Sequence, residues 1–180
     1  MNTSLYFSEL FKIYQSELDD LSSDCDDKNI LKVRLLEKRN EFNQLIPLIN
    51  QYPELVAVIF HNQVTIIDKE AVNHLITLQP NEFPDWATCL SAVKFSSDTL
   101  LMVDQLLKEK TGVKFLISVI CLEFMLFKIS NELELLNTNG EDVNQEDVNR
   151  EHVNREEMNG EDAQASAENW LEQQGFDRLE

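Results

Sequence analysis

Between Val113 and Phe127 the chain is apolar on nearly every side of a helix: Phe115, Leu116, Ile117, Val119, Ile120, Leu122, Phe124, Leu126 and Phe127 fall at all rotations about the axis. A helix with no polar face must be surrounded, so the rest of the chain has to pack around it. The run contains Lys114 and Glu123 and falls short of the roughly 20 apolar residues that span a bilayer. It therefore predicts the central helix of a bundle, from Val113 to about Leu136. A dimer interface is the other use for such a helix.

The flanking segments supply what such a core helix needs. Phe7, Leu10, Phe11, Tyr14 and Leu18 recur at helical spacing, with Glu9, Gln15 and Ser16 off the stripe, and predict a helix over 4–23. Ser22 to Asp27 breaks that pattern and can cap a second helix, from about Lys28 to Ile49, which Pro47 should bend or end. That helix has an apolar face (Leu31, Leu35, Phe42, Leu45, Ile49) and a basic one (Lys32, Arg34, Lys38, Arg39). The first two helices should pair antiparallel.

Two β-branched runs follow, Leu55–Phe60 and Val64–Ile67, around His61, Asn62 and Gln63, and they suggest a hairpin. Its turn lacks the Asn-Gly pair that would strengthen the signal. Asp68 can cap a short helix that Pro80 closes. Further helices are expected from about Pro84 to Phe95 and from Thr99 to about Lys110. The fold class is thus mainly α, a helical bundle with one small β-hairpin over 1–137, followed by an acidic flexible C-terminal tail.

Composition changes sharply after Asn137. The chain of 180 residues has a net charge of −18, and residues 138–180 hold 13 acidic and 3 basic residues. Four pentads, starting at Glu141, Glu146, Glu151 and Glu156, make an internal repeat. A step of five residues turns a helix by about 140° net, so Val143, Val148, Val153 and Met158 line no face. Residues 138–165 read as a solvated spacer. Residues 166–180 differ again: after Ser166, a capping residue, Trp170, Leu171, Phe176 and Leu179 are available for contact. An acidic spacer ending in aromatic residues has the form of a tethered docking peptide. Folding back onto the body is an equal alternative.

The familiar chemistries find no purchase. Gly112 is the only glycine before the spacer, whereas phosphate-cradling loops need several. His61, His74 and His152 share no ligand spacing with one another or with Cys25, Cys89 and Cys121. The cysteines, odd in number and far apart, predict buried thiols in a reducing compartment. The acidic cluster Asp19, Asp20, Asp24, Asp26 and Asp27 lacks the glycine and terminal glutamate of a calcium loop. His61, in the turn, stands where a functional histidine could lie, but no nucleophile or carboxylate accompanies it in sequence. Glu123 is read first as a partly exposed carboxylate, with pairing to Lys128 or a place on a cavity as alternatives.

No catalytic, cofactor-binding or metal site is expected. The N-terminus lacks the basic-then-apolar pattern of a signal peptide, and the reading is a cytoplasmic protein. The charge opposes direct contact with nucleic acid or anionic membranes. The expected function is non-enzymatic protein–protein interaction, as an adaptor, assembly factor or secretion-type chaperone. Its partners would be one or more proteins, basic ones included, and homo-oligomers stay open. The alternative is an acidic neutralising protein (an immunity protein, antitoxin or nucleic-acid mimic) that blocks a basic target.

Overall fold

The computed structural model describes residues 3–23 and 29–138, with side chains to 133. The spacer, the Trp170–Leu179 segment, Cys25 and the acids beside it lie outside the described residues.

Eight α-helices occur among the described residues: α1 (Leu5–Ser22), α2 (Ile30–Asn40), α3 (Phe42–Leu45), α4 (Pro53–Ala57), α5 (Lys69–Leu75), α6 (Trp86–Ser91), α7 (Leu100–Leu106) and α8 (Gly112–Thr138). A two-stranded antiparallel sheet, β1 (Val64–Ile66) and β2 (Val93–Phe95), completes the domain. The class is mainly α with a small sheet, and α8 is its axis. Leu116, Ile117, Ile120, Cys121 and Leu122 are fully buried, each large apolar side chain contributing about 1.5–3 kcal/mol by leaving water. No helix among the described residues is long and apolar enough to cross a membrane.

Local signals place α1 and α5 as the sequence implies. Ser4 Oγ accepts from Phe7 N at 3.4 Å, and the whole predicted stripe of α1 is buried. Asp68 Oδ1 accepts from Glu70 N and Ala71 N, both at 3.0 Å, which satisfies two orphan donors at the start of α5. Helices α1 and α2 pair antiparallel: Lys38 Nζ meets Glu17 Oε1 at 3.0 Å, while Arg34 Nη1, one turn back, donates to Leu21 O at 3.1 Å. The expected long second helix is instead α2, α3 and a 3-10 turn (Ile46–Leu48) that carries Pro47. The break at Glu41 lets Phe42 turn into the core.

The expected strand pairing of 55–60 with 64–67 is corrected. Residues 53–57 form α4 and Val58–Phe60 a 3-10 turn, and Val56 to Phe60 are buried on all sides. A continuous apolar run has no periodicity with which to tell a buried helix from a buried strand. Pro53 at the first turn fixes a helical φ and tips the balance. The partner of β1 is instead β2, expected as the end of a helix: Val64 lies opposite Phe95, Thr65 opposite Lys94 and Ile66 opposite Val93. Val93 and Phe95 are buried and Lys94 exposed, the two-residue alternation of a strand with one face on the core.

Candidate functional site

The pairing of β1 with β2 leaves a usable edge. Ser96 N donates to Gln63 O at 2.9 Å, and Ile67 N to Ala92 O at 2.9 Å. Ladder bonds alternate along an antiparallel strand, so Gln63, Thr65 and Ile67 face β2. The N–H and C=O groups of Val64 and Ile66 point the other way, where the sheet has no further strand among the described residues. A cleft of about 790 Å³ lies against β1, with Val64, Thr65 and Ile66 on one wall and Leu126, Phe127 and Ser130 of α8 on the other. No residue of β2 lines it, which places it along the open edge. Lys69 sits at its rim with Nζ 4.6 Å from the centre of the Phe127 ring, a cation–π contact.

At the inner end of this cleft the fold brings together three elements. Glu123, in α8, is 8% exposed. Its Oε1 accepts from the Tyr14 hydroxyl of α1 and lies 3.2 Å from His61 Nδ1. Its Oε2 accepts from Asn62 N at 2.8 Å. Facing a carboxylate, Nδ1 is the donor of that pair, and Nε2 lies 2.9 Å from Asn62 Nδ2. Asn62 has φ of 59°, the left-handed region that asparagine tolerates better than most residues. The carboxylate thus holds both the turn and α1 onto α8. Burial, reinforced by the Glu123 charge and hydrogen bond, pushes the Tyr14 phenol well above its ordinary range.

The first expectation for Glu123 changes here, and residues read separately in the sequence meet. Glu123 is buried and paired with His61, not partly exposed or paired with Lys128, and it lines the cleft, as the cavity alternative had it. Lys128 Nζ instead donates to Asn73 Oδ1 at 2.9 Å and overlies Phe124. His61 does have a carboxylate, 62 positions downstream in sequence and in contact in space. Tyr14 and Asn62, read only as core stripe and turn, complete the cluster. The one sequence signal for it was an acid within the most apolar helix, which must find donors.

Chemically, both imidazole nitrogens are engaged within the cluster. Among the described residues no serine, threonine or cysteine hydrogen-bonds the ring. Cys89 and Cys121 are buried free thiols, and burial raises both, Cys121 strongly. His74 is exposed on α5. No group of three or more potential metal ligands occurs among the described residues. The cluster holds the turn, and the cleft lies beside it. Comparison with protein families, curated proteins and solved structures finds no match for this chain.

Proposed function

We propose that this chain is a non-enzymatic binding protein, an adaptor, assembly factor or secretion-type chaperone, whose body seats an extended segment of a partner protein. The observation that supports this reading is the outward edge of β1 set inside a cleft. Main-chain groups of Val64 and Ile66 offer hydrogen bonds to any extended backbone, while Leu126 and Phe127 offer apolar surface to its side chains. The Trp170, Leu171, Phe176 and Leu179 segment would dock a second partner, and a cytoplasmic setting suits the free thiols.

Capture from native lysate tests the reading, with full-length protein and two full-length variants. Ile66→Pro removes an outward donor while the Thr65 ladder to β2 remains, so it should abolish capture by the body. Trp170→Ala with Phe176→Ala should remove only the second partner. Unchanged capture by Ile66→Pro that still folds would sink the strand-addition reading. The neutraliser reading makes an opposite forecast for salt, argued below at the scale of the whole molecule.

A further inference from the structure

The basic face of α2 has no part in that cleft, and one of its residues reaches the turn from the other side. Arg39 reaches the far side of the His61–Gln63 turn, where Nε donates to Ile59 O at 2.6 Å and Nη2 to His61 O at 3.2 Å. A guanidinium has five N–H donors in one plane. These two bonds occupy its Nε side, and the Nη1/Nη2 end remains, the fork that matches a carboxylate with two parallel hydrogen bonds. Among the described residues no carboxylate lies within ion-pair distance of Arg39. Burial lowers the guanidinium pKa, and the charges of Asp98 and Glu123 only partly offset it.

Arg39 lines a pocket of about 450 Å³ on this side of the turn. Lys32 adds a second cation, Gln63 a side-chain amide, and Leu31, Leu35 and Leu36 an apolar wall. Asp98 is the acid of the lining among the described residues, and its Oδ1 accepts from Ser97 Oγ at 3.2 Å. Two cations thus line this pocket, and the Asp98 and Glu123 charges near Arg39 offset them in part.

We propose that this pocket is a carboxylate-reading subsite: Arg39 grips the acidic side chain of a partner segment end-on, Lys32 adds attraction, and the α2 leucines pack its apolar neighbours. The inference rests on the reading of the chain as a protein-binding module and specifies an acidic, leucine-flanked ligand. Held by two backbone carbonyls, the guanidinium is oriented before the ligand arrives, which spares the ordering cost a free arginine would incur.

The test is an NMR titration of the full-length, nitrogen-15-labelled protein with acetyl-Leu-Glu-Leu-amide, with acetyl-Leu-Gln-Leu-amide and with sodium hexanoate. The glutamate peptide should shift the Arg39 Nε–H and the Leu35 and Gln63 amides saturably, and the glutamine peptide should bind about tenfold more weakly. Arg39→Lys keeps the charge and loses the fork, so it should also weaken binding about tenfold. Because Arg39 also braces the turn, Lys32→Glu serves as the second variant: its thermal midpoint should be unchanged and its affinity for the glutamate peptide reduced several-fold. Equal binding of the two peptides, or no saturable shift at Arg39, overturns the subsite. Hexanoate binding as tightly as the glutamate peptide also overturns it, in favour of a small organic acid. Shifts confined to Thr65 and Ser130 remove the subsite and leave the β1 cleft reading intact.

Discussion

Glu123 carries a charge into a helix whose neighbours are otherwise hydrocarbon and sulfur, and three donors from distant parts of the chain make that tolerable. Replacing it by leucine would strand those donors without an acceptor, at a cost of about 1–3 kcal/mol for a buried unsatisfied group. Chemical denaturation of Glu123→Leu should show that loss, with the Asn62 amide losing hydrogen-exchange protection first. Asn62 separates conformation from contact. Asn62→Gly fits the left-handed backbone and should stay within about 1 kcal/mol of the parent, whereas Asn62→Val should lose about 1–3 kcal/mol. Equal stability of the two variants would mean that the turn is not held as described. The Tyr14 phenol gives a pH test. Its folded pKa is raised, so the folded state keeps a proton that the unfolded chain releases near pH 10. The stabilisation is whole below about pH 10 and is lost as pH rises toward the folded value. Denaturation midpoints should therefore fall above about pH 10, and fall less steeply in Tyr14→Phe.

At the scale of elements, the joint between α7 and α8 leaves no room for a side chain at its glycine. A Cβ on Gly112 would lie 1.6 Å from Leu106 O and 2.5 Å from Leu106 C, both backbone atoms. Gly112→Ala must push the start of α8 away from α7, and forcing bulk into a packed joint costs about 1–3 kcal/mol. Thermal unfolding of Gly112→Ala measures this; a midpoint equal to the parent's would show that the joint is slack. The elements also show where pattern stops informing. The α1 stripe was readable because its five apolar positions share one face. The 55–60 run was not, because residues buried on every side leave no period. The 93–95 strand was not either, because three residues are too few for alternation to outweigh the helical spacing of Ala87, Leu90 and Val93. In the fold Leu90 is 43% exposed and Val93 belongs to the sheet.

For the molecule as a whole, charge and cleft make opposed forecasts. A module that binds through backbone hydrogen bonds and apolar contacts should associate at a rate that changes little with salt. A neutraliser steered by the −18 charge should slow steeply as salt rises. Stopped-flow association with the captured partner at low and physiological ionic strength decides between them, and a steep fall would favour the neutraliser. More than half of the excess charge lies after Asn137, almost all of it outside the described residues.

Residues 113–127 by themselves determined that a helix would be enclosed, and the stripe and caps of α1 and α5 determined what would enclose it. Those conclusions are local: helical period, a capping side chain and the cost of exposing hydrocarbon all act within a few residues of sequence. Only the tertiary structure decided that Val64–Ile66 pairs with Val93–Phe95, that Tyr14, Asn62 and His61 meet at Glu123, and that Arg39 braces the turn from the other side. Each of those meetings joins positions at least 20 residues apart. Their energies come from desolvated donors finding acceptors once the core has closed. No spacing rule along the chain encodes which donor will arrive, so the framework was legible and the site was not.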